Sequence, residues 1–449
     1  MNYIKPFGTN VLKGFFVCKS FYATLTFVAF INTFPMRITG LVLFALILFS
    51  SCKESNQSEV TPVAEQPAVQ TATTNASINA IKLPSIGKSH LPRLKSSGGK
   101  LHMTWVEQED EMAILKYASY DSATWSQPRT ITSGDNWFVN WADFPALGIN
   151  GDYVLTNILE KSAEGTYDYN VKLQLAKVDE VIKDDFLLNT DGVDAEHGFV
   201  SIQAYDGGFY ATWLDGRNTK NEDKSKNQMS LRNAYIDLAG KITQDVEIDN
   251  RVCDCCNTAT AITNNGPVAV YRDRSDTTPE IRDMAIVRWV NGAWTKPMVI
   301  GNDNWELNGC PVNGPAIATK EENVVVSWFT AEGDAPRVLT AFSNDNGASF
   351  GSAIRMDNGN AIGRVDADFM SDGSALISWL EPMGENVVLQ VARVYVDGTH
   401  DAPVTITNTS AERQSGFPQL EVVGDSTFVA WTDLKGGNSE VKMVRFEME

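Results

Sequence analysis

The residues of this 449-residue chain with the clearest chemical capacity are its six cysteines. Four of them fall in two short segments, Arg251-Val252-Cys253-Asp254-Cys255-Cys256 and Gly309-Cys310-Pro311-Val312-Asn313-Gly314-Pro315. Thiols at this spacing serve three chemistries, and the sequence leaves all three open. Cys253, Cys255, Cys256 and Cys310 form disulfides, for which four cysteines allow three pairings, although a Cys255–Cys256 bridge would be a strained vicinal ring. Alternatively they ligate a soft metal, copper or zinc, with His197 as a further ligand, in a spacing that is not the usual one for structural zinc. The third reading is a catalytic or redox thiol. With only four histidines in the chain, a site built on a histidine cluster is nearly excluded.

A second set of residues suits an anionic ligand. Arg272, Arg282 and Arg364, with Arg93 and Arg413 less favoured, present guanidinium forks that recognise carboxylates in a bidentate way. Each of the first three also has a neighbouring carboxylate, Asp273, Asp283 or Asp366, that would make it a structural ion pair instead. Asp283 and Asp366 are the candidate acids, their pKa raised by burial. Asp135-Asn136-Trp137 recurs as Asp303-Asn304-Trp305. Trp137 and Trp305 would stack on sugars at a binding mouth, or else mark a repeated structural turn.

These residues need a scaffold, and the chain repeats one. From residue 78 it reads as short alternating runs rich in Val, Ile, Thr and aromatics, split by Gly, Asn and Asp turns. An apolar strand, often ending in Trp, recurs at Leu101–Trp105, Tyr153–Asn157, Phe209–Trp213, Val268–Tyr271, Val324–Trp328, Ala375–Trp379 and Phe428–Trp431. The last residues of these runs are spaced by 52, 56, 58, 57, 51 and 52 positions. About four strands per period predicts an all-β propeller of seven four-stranded blades, with six as the alternative. The last unit has room for only one further strand after Trp431, so Ile78–Leu83 is expected to complete it and close the ring, which removes exposed sheet edges. In a propeller the loops into the first strands and the turns after the second strands share one face. Both cysteine segments, Glu196-His197, and the arginines above fall there, on rigidly presented loops.

Ser343-Asn344-Asp345-Asn346-Gly347-Ala348-Ser349-Phe350 matches the pattern S-x-D-x-G-x-[ST]-[FW], and Ser119–Trp125 is a degenerate copy. On these motifs and the blade period, residues 78–449 resemble the sialidase superfamily, whose propellers carry such Asp-boxes (BNR repeats). The cysteine segments, with Glu280-Ile281-Arg282-Asp283 and Gly363-Arg364-Val365-Asp366, look like a bacterial subgroup of it. The resemblance implies a glycan-binding face and, for an enzyme, a glycoside hydrolase of sialidase type holding a carboxylate with three arginines. The chain departs from catalytic members, since no Tyr–Glu pair can be assigned by spacing and the thiols are not part of their site.

Ahead of the repeats, residues 1–51 contain no acid, and Met36-Arg37 precedes the apolar run Leu41–Phe49 and Ser50-Ser51-Cys52. This reads as a secretory signal with Met36 as the true start and Cys52 as a lipidation site. Residues 52–77, Glu-, Gln-, Thr- and Pro-rich, read as a flexible tether. The expected placement is an exported lipoprotein of the bacterial cell envelope, meeting the membrane only through its lipid. Removing residues 1–51 takes away Lys5, Lys13, Lys19 and Arg37 and no acid, so the net charge deepens from −19 to −23. Such a chain lacks the basic face that nucleic-acid binding requires. Three functions then compete: a protein that binds and hydrolyses a glycan or other small anionic ligand, a copper or zinc protein, and a non-catalytic interaction module.

Overall fold

Each second strand sits in the middle of its sheet with a neighbouring blade on either side. A strand covered on both faces reads as a continuous apolar run. Gly208–Asp215 and Gly266–Arg272 are buried at every position. Trp105, Trp213, Trp328 and Trp379 are fully enclosed within four of the second strands. Outer strands face water on one side, and Ile242–Val252 accordingly alternates between half-buried and exposed residues.

The computed structural model describes residues 70–71, 77–85, 87–177 and 180–448, all within the unit Pro62–Glu449. The expected signal, Cys52 and nearly all of the tether lie outside the described residues. Seven antiparallel sheets follow in chain order. Their inner strands are Ser89–Ser97, Leu147–Asn150, His197–Tyr205, Ala259–Thr263, Ala316–Lys320, Gly363–Phe369 and Gln419–Val423. Consecutive inner strands touch, and the seventh touches the first, so the sheets are the seven blades of a propeller. The six-blade alternative does not describe it.

Ring closure comes from the N-terminal side of the domain. Asn79–Ile81 pairs antiparallel with Met443–Arg445, becoming the outer strand of blade 7. The strand is shorter than the expected Ile78–Leu83, but Ile81 and Leu83 pack against the cluster that holds Trp105, Phe428 and Met443. Gln70–Thr71 adds a parallel two-residue pairing to His400–Asp401 in blade 6.

Three inner strands share a distortion at the rim. The register shifts between His90 and Arg93, between Gly198 and Ser201, and between Gly363 and Asp366. Within these bulges Leu91, Phe199 and Arg364 take positive φ of 53°, 52° and 55°. Bulges of this kind re-aim a side chain at a sheet end, and a left-handed non-glycine residue is uncommon enough to require support from its surroundings. On the opposite face, Ser343–Phe350 forms the turn after the third strand of blade 5. There Asp345 accepts from the Ser343 and Ser349 hydroxyls at 2.7 and 2.6 Å.

Candidate functional site

The outer strand of blade 3 ends at Val252, and the chain turns into the inner strand of blade 4 through Cys253–Thr258. The Cys253 amide donates to the Arg272 carbonyl at 3.0 Å, which pins the start of this loop to the end of blade 4's second strand. Three sulfurs then converge. Cys253 Sγ lies 3.8 Å from Cys255 Sγ and 3.9 Å from Cys256 Sγ. Cys253 and Cys256 are buried, Cys255 is half-buried, and Cys310, from the loop into blade 5, is exposed. Cys310 joins from the outer side, where its sulfur, the Cys255 sulfur and an Asp254 oxygen lie within 4.8 Å of one another. All four cysteines are free thiols. The blade-5 loop reaches the site because Gly314 has no side chain: a Cβ there would stand 2.1 Å from the Asn257 carbonyl oxygen.

A buried cation faces the sulfurs. Arg282 Nη1 is 3.1 Å from Cys253 Sγ, while its Nη2 lies 3.2 Å from Glu280 and Nη1 lies 3.7 Å from Asp254. The neighbouring Cys255 and Cys256 thiols, and then the positive charges of Arg282 and Arg272, hold the Cys253 thiol well below its ordinary value. Burial pushes Cys256 up to about 12. The Cys253 sulfur is thus favoured as a thiolate, with the Cys255 and Cys256 thiols as its donors, and the Cys255 thiol likewise lowers Cys310.

The other expected ligand groups are placed differently. Arg272 is buried and donates to four backbone contacts: Arg282 O at 2.7 Å, Phe329 O at 2.7 Å, and Asn313 O at 3.2 and 2.9 Å. It ties blade 4 to blade 5 and has no fork left for a substrate carboxylate. Arg364, re-aimed by its bulge, donates to Ser415 Oγ and to the carbonyls of Ala411, Glu412 and Gly416. It therefore anchors the loop into blade 7. Only Arg282 among the three stands at the thiol site. Asp283 accepts the Asn304 and Trp305 amides at 2.8 and 2.9 Å, which makes it the clamp of the Asp303-Asn304-Trp305 turn. Trp305 is buried beneath the Arg272 guanidinium, 4.9 Å from ring centre to Cζ, and so is not free to stack on a sugar. Trp137 is half-buried against the main apolar cluster.

His197 does not join the thiols. Its Nδ1 lies 3.1 Å from both the Tyr169 and Ala195 carbonyls, and its Nε2 lies 3.2 Å from Asp191 and 3.8 Å from Asp215. Arg217 neutralises the same two carboxylates at 3.4 and 2.7 Å, completing a buried charge cluster in blade 3.

Asp366 faces a different space. A channel of about 380 Å³ runs along the inner strands of all seven blades, with Arg93, Lys95, Asp366, Asp368, Gln419 and Glu421 among its polar lining. Asp366 accepts the Leu420 amide at 2.8 Å, and burial pushes its carboxyl up to about 6. Burial and the nearby Glu421 charge push Asp368 up to about 8.

No protein-family model and no curated protein matches this sequence. Among solved structures, a polysaccharide lyase of family 25, an ulvan lyase bound to -[GlcA(1-4)Rha3S]-, aligns with a TM-score of 0.49 at 10% identity, over 84% of this chain and 95% of that one. The α-L-arabinofuranosidase Arb93A of Fusarium graminearum, in complex with an iminosugar inhibitor, aligns with a TM-score of 0.44 at 11% identity, over 84% and 98%. A Trypanosoma rangeli sialidase aligns with a TM-score of 0.40 at 10% identity, over 80% of this chain and 54% of that one. These neighbours are enzymes of glycans, and at such distance no residue's role carries over from them.

One constellation had no counterpart in the sequence reading. The Tyr169 hydroxyl lies 3.0 Å from Asp143 Oδ2 and 3.0 Å from Glu196 Oε1. Its single proton can serve only one of them, so the other contact is made by a protonated carboxyl. Burial accordingly pushes Asp143 up to about 7, and burial together with the Asp143 charge pushes Glu196 up to about 8. Asp143 also packs on Gly198, where a Cβ would stand 2.0 Å from its oxygen. Glu196 reads from the sequence as a rim residue, but its partner Tyr169 is 27 residues away in sequence, at the start of strand Tyr169–Lys177.

Proposed function

We propose that the rim between blades 4 and 5 binds a thiophilic d10 ion, copper(I) or zinc(II), through Cys253, Cys255 and Cys256, with Cys310 on the open side. The observation that carries this reading is the pair of sulfur separations, 3.8 and 3.9 Å. A tetrahedral ion bound at about 2.3 Å to each sulfur sets its ligands about 3.8 Å apart, whereas a disulfide brings them to about 2.05 Å. Arg282 and Arg272 supply positive charge beside a ligand set that becomes anionic on binding, the part that outer-shell partners play at metal sites. The test is elemental analysis and thiol titration of protein purified under reducing, anaerobic conditions. Bound copper or zinc, lost in Cys253→Ser and Cys256→Ser, is the expected result. Four oxidised cysteines, or four free thiols that take up neither ion on reconstitution, would overturn it.

A second reading concerns the channel and stands on Asp366, a half-buried carboxyl with a raised pKa in a polar cavity. Such a group is suited to act as the general acid of a glycoside hydrolase on an anionic glycan, and a panel of sialosides and other glycosides tests it. Turnover that Asp366→Asn abolishes while binding persists supports the reading; neither binding nor turnover across the panel refutes it. In either case the chain is read as an exported lipoprotein anchored through Cys52. Metabolic labelling with a fatty-acid analogue, absent in Cys52→Ala, is the expected outcome.

A further inference from the structure

Cys255 belongs to two groups of potential ligands. One is the three-sulfur set with Cys253 and Cys256; the other is made with Asp254 and Cys310. Both groups keep their donor atoms within 4.8 Å of one another. They differ in burial, since Cys253 and Cys256 are enclosed while Cys310 is exposed. Within the outer group, Cys310 Sγ stands 3.6 Å from Asp254 Oδ1. An ion bound tetrahedrally by one thiolate at about 2.3 Å and one carboxylate oxygen at about 2.1 Å holds those two donors about 3.6 Å apart. The outer set has the separation of a sulfur–oxygen edge, as the inner set has that of a sulfur–sulfur edge.

From this arrangement we infer that the site is dinuclear, with the Cys255 thiolate bridging an inner ion held by Cys253, Cys255 and Cys256 and an outer ion held by Cys255, Cys310 and Asp254. The inference rests on the metal reading above and extends it to a second position. The donors differ, and so does the expected occupant. Three thiolates suit a soft ion, whereas two thiolates and a carboxylate suit zinc(II). Charge favours the second ion as well, because Asp254 places a carboxylate beside Cys310 on this side. Arg282 is engaged most closely by Cys253 and Glu280, at 3.1 and 3.2 Å, and stands farther from Asp254, at 3.7 Å. The outer position opens to solvent, so its ion should exchange faster than the inner one, leaving that position for an incoming ligand or an ion in transit.

The experiment is zinc(II) titration of the reduced full domain in competition with a chromophoric chelator, repeated with Cys310→Ser and Asp254→Asn. Cobalt(II) substitution reads the sulfur ligands through their charge-transfer band. Wild type should take up two equivalents, the second weaker and faster to exchange. Each variant should take up one, with the tight phase unchanged. Cys310 and Asp254 are exposed or nearly so, and unaltered thermal melts of the metal-free variants establish that they fold. A single equivalent in wild type, whether or not either variant weakens it, overturns the second position and leaves the first standing. No uptake by wild type overturns the metal reading itself.

Discussion

The Arg282 guanidinium stands 3.1 Å from the Cys253 sulfur, and both groups are buried. A charged donor aimed at a thiolate in a dry setting stabilises the anion that a metal requires as its ligand. Arg282→Gln keeps much of the side chain's bulk and removes the charge, leaving Glu280 and Asp254 facing the site without it. Metal affinity should then fall by roughly 10- to 100-fold, the usual cost of losing an outer-shell partner. Chelator competition measures this directly, and an affinity equal to wild type would show that the arginine serves only Glu280.

Arg272 is expected to behave differently, because its donors go to carbonyls rather than to the sulfurs. Arg272→Met would leave the buried carbonyls of Arg282, Asn313 and Phe329 without their donor. Leaving such groups unsatisfied costs about 3–5 kcal/mol in total, visible as a lower denaturant midpoint. Arg272→Lys should recover part of this, since one ammonium cannot reach carbonyls on two blades with the geometry of a fork. A midpoint within error of wild type for Arg272→Met would exclude the interblade role.

The contrast between these two arginines explains what the sequence could and could not disclose. Blade period, strand order and ring closure were legible because a second strand buried on both faces must be largely apolar, and a buried Trp recurs within several of them. Convergence of Cys253, Cys255, Cys256 and Cys310 was legible too, since all fall in loops that open on one face. Donor assignment was not legible. Arg272 and Arg364 read as ligand-binding from the polar residues beside them, yet Arg272 ends the second strand of blade 4, Arg364 lies in the inner strand of blade 6, and each is covered by carbonyls of an adjacent blade some fifty residues away. Trp305 is hidden for the same reason, since it supports Arg272. The bulges at Leu91, Phe199 and Arg364 have no composition marker, because a non-glycine residue takes the left-handed conformation in each.

Ring closure offers a test of the fold. A chain beginning at residue 84 lacks Asn79–Ile81 and leaves Asn438–Phe446 as an open edge in blade 7. The lost pairing and the lost packing of Ile81 and Leu83 should lower stability by about 2–4 kcal/mol. An unpaired edge also invites pairing with another chain. A lower melting temperature together with concentration-dependent oligomers on size-exclusion chromatography with light scattering is expected. A monomer that melts with the longer chain would mean that closure does not depend on this strand.

Asp143 makes the stability of the ring depend on pH, with a definite sign. Its carboxyl moves from an ordinary 3.8 to about 7 on folding because it is buried, an effect that the hydrogen bonds it accepts from the Phe199 amide and the Tyr169 hydroxyl offset only in part. Between those values the folded state holds a proton that the unfolded state has released. The stabilisation from this group is therefore complete below about pH 4 and is lost as the pH rises through about 7. Glu196, raised from 4.5 to about 8, acts in the same direction. Asp143→Asn preserves the geometry: its oxygen can still accept the Phe199 amide, and its NH2 can donate to the Tyr169 oxygen as the protonated acid does. The variant should be the more stable of the two at pH 8, by an amount on the order of 1–3 kcal/mol. That advantage should shrink as the pH falls toward 5, where the wild-type carboxyl already carries its proton. Urea denaturation of metal-free protein across pH 5–8 reads the difference; an offset between the two proteins that stays constant with pH would remove Asp143 as the titrating group.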